Sequence, residues 1–267
     1  METQISFVVL TWNSERHVRS CIESVLGLGC ICADVYVIDN GSSDDTLGIL
    51  RDLAATDARL HVCRLGCNMG TTIPRNMGLR RLASGTTHVC VLDSDTIVNR
   101  AAFETMLDAV ARHPEVGVVG PSMASSSGDV QLSGRNMPSL SLKLRKAFPF
   151  GRVAERAEAE EAPSAPVVDG LQDVGYLLSA CWLMPVSSFE IVGLFDEAIF
   201  YAPEDVDWCL RCHKAALRVC LCPDAQIVHE YQRLSHQKFF SKTNIEHLKG
   251  LMYFFRKHGY LFKAPAF

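Results

Sequence analysis

A chain of 267 residues with 48% hydrophobic side chains is long enough to bury one sizeable core. Its net charge of −4, with 21% charged residues, carries no basic footprint and argues against a nucleic-acid partner. The opening METQISFVVLTWN has no basic run ahead of its apolar stretch, and no window reaches the roughly 20 apolar residues of a spanning helix. Neither a secretory leader nor a membrane span is expected, and the expected location is cytoplasmic.

In chain order, Ile5 to Thr11 reads as a buried strand. His17 to Leu28 has helical spacing, with Val18, Cys21, Ile22 and Val25 on one face. Val35 to Asp39 is a second strand, and Asn40-Gly41-Ser42-Ser43 is a turn. Asp44 or Asp45 then caps a helix through Leu53. Leu60 to Arg64 is a short third strand, Pro74 to Leu82 a helix, and His88 to Leu92 a fourth strand. Strands alternating with helices across short loops predict an α/β fold with a doubly wound, mostly parallel sheet. Such sheets bind ligands outside the carboxyl ends of their strands. The polar clusters Trp12-Asn13, Asp39-Asn40-Gly41 and Asp93-Ser94-Asp95 all fall there.

The second half is less regular. A strand at Val116 to Val119 precedes a polar hairpin or loop at Ser122 to Asp129. Residues 143–166 hold a basic part followed by an acidic part. They read as a mobile surface loop over the acceptor site, or as an insertion without function. Apolar structure returns from Gly175 to Pro185, followed by a helix near Ser187. A helix from Asp205 to Ala216 and a strand from Arg218 ending at Pro223 complete this half.

Asp93-Ser94-Asp95 directly follows an apolar strand. Two carboxylates two residues apart can hold one hard divalent cation, and they can equally cap the next helix. Trp12 could stack on a base or fill a core, and Asp39 could accept from a nucleobase or ribose or serve its turn. Glu204-Asp205 opens a helix, where a carboxylate can take a proton from a hydroxyl or simply complement the helix dipole. His229, ending an apolar strand, is a structural residue or a third ligand beside the two aspartates. Cys209, Cys212, Cys220 and Cys222, with His213 and His229 nearby, have spacing compatible with zinc; reduced core thiols are the competing reading.

Six segments in register resemble the family 2 inverting glycosyltransferases with the GT-A fold: VVLTWNSERHVRSCIESVL, VYVIDNGSSDDT, NMGTTIPRNMGL, VCVLDSDT, ACWLMPVSSFEIVGLFDEAIFYAPEDVDWCLR and ALRVCLCPDAQIVHE. The resemblance spans roughly residues 4 to 232. It implies a GT-A domain over 1–231, with a nucleotide-sugar half at 1–120, an acceptor half at 121–231, and a basic amphipathic helical tail at 232–267. It places Thr11, Trp12, Asn13, Asp39, Arg75, Asp93 and Ser94 on the donor. Asp93, Asp95 and His229 would lie around Mg²⁺ or Mn²⁺, with Asp205 as catalytic base and Trp182 and Glu204 toward the acceptor. Two positions depart from the family pattern. Gly70-Thr71-Thr72 stands where Gly-x-Ala is common, and Pro203 where a tryptophan often precedes the acid pair.

The pattern from Phe195 to Arg211 with His229 is most similar to rhamnosyltransferase-like members that build bacterial surface polysaccharides. That similarity implies dTDP-rhamnose ahead of UDP- or GDP-sugars, and a saccharide or lipid-linked saccharide acceptor. A nucleotidyltransferase would carry a Gly-rich loop where Thr11 to Arg16 stands, and a dehydrogenase would carry GxGxxG; neither is present. A non-catalytic glycan-binding module remains as the alternative class. In the tail, seven cations from Arg233 to Lys263 interleave with Phe239, Phe240, Leu248, Leu251, Met252, Phe254 and Phe255. This pattern suits an anionic membrane surface, or a helix packed on the domain or in a homodimer interface.

Overall fold

The computed structural model describes residues 3–147, 151–230 and 242–265. Its first half runs β1 (Ile5–Thr11), α1 (Val18–Leu26), β2 (Cys32–Asp39), α2 (Thr46–Ala54), β3 (Leu60–Arg64), α3 (Thr72–Leu79) and β4 (His88–Asp93). The strands lie in the order β3-β2-β1-β4, all parallel, as the alternating pattern predicts. β2 begins three residues before its expected start because Cys32 pairs with Ile5 across the ladder. Asp45 holds the N-cap position of α2 without a side-chain cap bond, and Asp44 Oδ1 accepts from Thr46 N–H at 3.1 Å and from the Thr46 hydroxyl.

β5 (Thr96–Ile97), α4 (Arg100–Arg112), β6 (Val116–Ala124), β7 (Val130–Gln131) and β8 (Gly134–Arg135) follow. The chain continues through α5 (Leu140–Ala147), α6 (Gly151–Glu161), β9 (Val167–Val168), β10 (Leu171–Asp173), β11 (Tyr176–Leu177) and β12 (Cys181–Pro185). It closes with α7 (Val186–Val192), α8 (Glu204–Lys214), β13 (Arg218–His229) and α9 (Lys242–His258). β12 lies antiparallel between β4 and β6, β13 runs parallel to β6, and β10 and β9 form the far edge. The sheet is therefore parallel on the β3–β4 flank and mixed beyond it.

Both faces of the sheet are covered, so its central strands read as unbroken apolar runs. β1 sends Ile5, Phe7 and Val9 into the core beneath α1, α2 and α4. Val8 points into a second core with Trp182, Trp208, Phe254 and Phe255. Gly78 lets α3 sit against β1: a Cβ there would lie 2.4 Å from Val8 Cγ1.

Two expectations change, and the tail follows one of its two readings where it is described. The segment expected as a loop at 143–166 is mostly a helical hairpin, α5 with α6. Its oppositely charged halves close on each other, with Glu161 buried between Arg135, Lys143 and Lys146, and Arg145 paired with Glu160. β13 does not stop at Pro223. A register shift between Cys222 and Gln226 takes the proline, which has no N–H to give the ladder, and the strand resumes. The tail, where described, is a packed helix: Leu251, Phe254 and Phe255 enter the second core, and Lys257 pairs with Asp196 and Asp207. Arg233, Lys238, Phe239 and Phe240 lie outside the described residues. No helix among the described residues is long and apolar enough to cross a membrane.

Candidate active site

The loops after β1 and β2 are laced together. Asn13 takes a left-handed backbone (φ 51°), its N–H donates to Ser42 Oγ at 2.9 Å, and its side-chain oxygen accepts from Ser43 N–H at 2.8 Å. Ser14 N–H donates to Thr46 Oγ1. Asp39 is fully buried beneath these loops. One carboxylate oxygen accepts from Thr11 Oγ1 and the other from Ser42 N–H. In this arrangement Asp39 and Thr11 shape the loops from below. Trp12 stands 47% exposed on the loops so fixed and offers a flat apolar surface. Ser94 lies 2.7 Å from Ser14, hydroxyl to hydroxyl, which ties the Asp-rich turn to the same loop.

The chain passes from Asp95 straight into β5, and β5 pairs antiparallel with the end of β13 in the register Thr96 to His229. That pairing carries His229 across the sequence to the two aspartates. Ligating atoms of Asp93, Asp95 and His229 all lie within 4.8 Å of one another, and among the described residues no other group of three or more His, Cys, Asp or Glu does so. Two carboxylates and one imidazole fit Mg²⁺ or Mn²⁺, and the imidazole leans toward the softer Mn²⁺. Burial alone would lower the His229 imidazole, but the Asp95 and Asp93 carboxylates outweigh it and raise it.

Gln131, on β7, had no local signal in the sequence. Its Oε1 lies 2.7 Å from His229 Nδ1, while its Nε2 donates to the His229 carbonyl at 2.8 Å. An amide oxygen only accepts, so Nδ1 carries the proton and Nε2, 3.4 Å from Asp95, offers its lone pair when the ring is neutral. Gln131→Leu is expected to weaken Mn²⁺ binding about 10- to 100-fold, the usual cost of losing such a partner. Calorimetric titration of the donor-free protein with Mn²⁺ checks it, and unchanged affinity would remove Gln131 from that role.

Arg75, expected near the donor, is 2% exposed and joins the two acidic motifs. Nη2 donates to Asp93 Oδ1 at 2.7 Å, and Nη1 donates to Glu204 Oε1 at 2.8 Å and to Ser179 Oγ at 2.9 Å. Among the described residues its Nε finds no acceptor, and the guanidinium lies 5.8 Å over the Phe195 ring. The neighbouring Asn76 grips the Phe195 backbone from both sides, accepting from its N–H and donating to its carbonyl. Thr71 and Thr72, the departure from Gly-x-Ala, donate their hydroxyls to the carbonyls of Tyr201 and Ile199. They clamp the segment that leads to Glu204 and Asp205.

Asp205 sits half-buried in the first turn of α8, its Oδ1 accepting from Val206 N–H at 2.8 Å. Burial raises its carboxyl above the ordinary range, against the pull of that N–H, Arg75, Lys143 and Arg135. A carboxylate so raised is better matched to taking a proton near neutrality.

Two residues expected toward the acceptor lie buried. Trp182 is fully buried, stacked on Phe195 and packed against Trp208, with its N–H given to the Leu178 carbonyl. It is core because β12 is a central strand covered on both faces, and Trp182 lies on the side of the second core. Glu204 is buried and spends Oε1 on Arg75 and Ser179. Cys209, Cys212, Cys220 and Cys222 are free thiols buried in the packing of α8 and β13, and burial pushes each one up. They form no ligand group with His213 or His229 among the described residues.

Known proteins agree with this architecture. The chain is 27% identical to the N-acetylglucosaminyl-diphospho-decaprenol L-rhamnosyltransferase of Mycobacterium tuberculosis, over 99% of this chain and 88% of that one. It is 24% identical to the dTDP-rhamnosyl transferase RfbF of Shigella flexneri, over 86% of this chain and 70% of that one. The crystal structure of GalNAc-T7 with UDP, GalNAc and Mn²⁺ superposes with a TM-score of 0.71 at 14% identity. The alignment takes in 95% of this chain and about half, 48%, of that one, and it shows the shared GT-A fold. The profile of glycosyl transferase family 2 matches residues 6–162, more than half of the sequence. With that match laid over the laced loops, the Asp93–Asp95–His229 group and the acid pair that opens α8, the chain belongs to the family 2 glycosyltransferases.

Proposed function

We propose that this glycosyltransferase moves rhamnose from dTDP-rhamnose to a hydroxyl of a saccharide carried on a lipid diphosphate, in bacterial surface-glycan synthesis. One observation carries the reading: a single buried side chain, Arg75, bridges Asp93 of the ligand group to Glu204, whose neighbour is Asp205. Donor and acceptor chemistry are thereby held in one frame. The rhamnosyl part rests on the two bacterial relatives, both rhamnosyltransferases, and the lipid diphosphate on the acceptor in the mycobacterial relative's name.

The division of labour follows the halves of the chain. Residues 1–120 hold the donor, with Trp12 against the base and the Ser14–Ser94 contact beside the diphosphate. Residues 121–231 present the acceptor, and Asp205 takes the proton of its hydroxyl as that oxygen attacks the anomeric carbon in line. The configuration inverts in one displacement, and no side chain is needed as nucleophile. A divalent cation at Asp93, Asp95 and His229 would supply charge neutralisation for the departing nucleoside diphosphate. The corresponding place of work is the cytoplasmic face of the membrane.

The test is a donor panel of dTDP-rhamnose, UDP- and GDP-sugars with N-acetylglucosaminyl-diphospho-lipid, with Mn²⁺ or EDTA. Nucleoside diphosphate release and the anomeric configuration of the product are read together. Transfer from dTDP-rhamnose that stops in EDTA and gives inverted product is expected. Preference for a UDP- or GDP-sugar would overturn the rhamnosyl reading. EDTA-resistant transfer would overturn the cation, and no release from any donor would favour the binding module.

A further inference from the structure

Beside the base lies a cluster of cations that the reaction as described does not use. Arg135 on β8, Lys143 and Lys146 on α5 all reach the one buried carboxylate of Glu161, at 2.7, 3.1 and 2.5 Å. Glu161 alone does not balance the three positive charges that reach it, and the three side chains remain about a quarter exposed. A buried anchor with surplus charge above it holds cations in place for a further anion.

The cluster has a definite place relative to the chemistry. Arg135 pairs across the two-stranded β8–β11 ladder with Tyr176, and β11 packs on α8, whose first turn carries Asp205. The charges of Lys143 and Arg135 both act on the Asp205 carboxyl. α9 adjoins the same corner. A Cβ at Gly250 would meet the Ala202 carbonyl at 2.0 Å, and Leu140 N–H donates to the Leu261 carbonyl at 2.7 Å. While one side of α9 is buried, Ile245, Leu248 and Met252, spaced three and four apart, stand 49%, 62% and 57% exposed on another. This corner thus brings together an acid for the sugar hydroxyl, the cations, and the helix that carries the apolar row.

We propose that Arg135, Lys143 and Lys146 form the subsite for the acceptor's diphosphate, with the lipid leaving along the exposed row of α9. This rests on the lipid-linked acceptor proposed above and assigns residues to it. Glu161 orders the cations, and the diphosphate neutralises the surplus.

Farnesyl diphosphate carries the lipid and the diphosphate without a sugar. Its binding to the full chain in EDTA, where no cation can bridge it to the aspartates, reads the subsite directly by calorimetry. The variant Lys143→Gln/Lys146→Gln/Glu161→Gln removes two cations together with the buried acid they would otherwise strand. Expected results are saturable binding to the unsubstituted protein that weakens with added NaCl, at least about tenfold weaker binding to the variant, and no competition from dTDP. Binding of uncharged farnesol should be the same for both proteins. No binding to the unsubstituted protein, salt-insensitive binding, or displacement by dTDP would each overturn the subsite; the last would give the cations to the donor. Transfer to a neutral alkyl N-acetylglucosaminide separates the two readings. If it proceeds while farnesyl diphosphate fails to bind, the subsite falls and the transferase stands. If no acceptor is glycosylated while farnesyl diphosphate binds as described, the transferase reading falls alone.

Discussion

Asp205→Asn is expected to lower kcat about 10³-fold while leaving donor affinity within about twofold, the scale of losing a positioned general base. The substitution is mild in every other respect. An Asn side-chain oxygen can still accept from Val206 N–H, so that contact in the first turn of α8 survives. Removing the Asp205 charge also relieves Glu204, whose carboxyl is raised by burial and by that neighbour. The melting temperature should therefore not fall. The pH profile supplies a second reading. The base works deprotonated, and Asp205 is raised, so kcat/KM of the parent enzyme should climb through an acid limb displaced above the ordinary carboxylate value. In Asp205→Asn that limb should vanish with the activity. Near-parental turnover, or an unshifted acid limb in the variant, would take the role away from Asp205.

How much of this was legible in the sequence follows from how local each signal is. The strands of the β3–β4 flank were readable because both faces are covered and their apolar runs are unbroken; Val8 and Val9 are both buried, in opposite cores. The carboxylates at strand ends were readable because a parallel sheet puts its loops there. His229 was visible as a candidate, but its partner was not: only the β5–β13 register joins residues 96 and 229, and Gln131 enters through a two-residue strand. The helical hairpin at α5 and α6 was hidden because charge dominates its composition. Few of its apolar residues are buried, among them Leu142 and Ala157, and the buried Glu161 with its three cations ties the two helices together, so no broad apolar stripe marks it. Trp182 and Glu204 were placed on the acceptor by family position, whereas the cover over both faces of β12 buries the first and the contact with Arg75 holds the second inside.

Arg75→Met should damage stability and catalysis together, and the way the two separate is the informative part. The substitution keeps an apolar stem of similar length beside Phe195 but strands Glu204, which is 6% exposed. Breaking one side of a buried ion pair costs about 3–5 kcal/mol. Glu204 can shed part of that cost by holding a proton, since burial already raises it, so about 3 kcal/mol is expected. For a chain of this size that is a fall of roughly 6–12 °C in melting temperature. Asp93 is about a third exposed and adds little to the stability loss, but it loses the fork that orients it. Cation affinity should therefore drop as well, by calorimetry with Mn²⁺. The companion Arg75→Met/Glu204→Gln removes the stranded acid and should recover most of the melting temperature. It should recover none of the cation affinity or transfer rate, because Asp93 still lacks its partner. If the double variant regains activity along with stability, Arg75 is a buried counter-charge and nothing more. If stability returns while activity does not, Arg75 is the strut that sets the Asp93 end of the site against the α8 end.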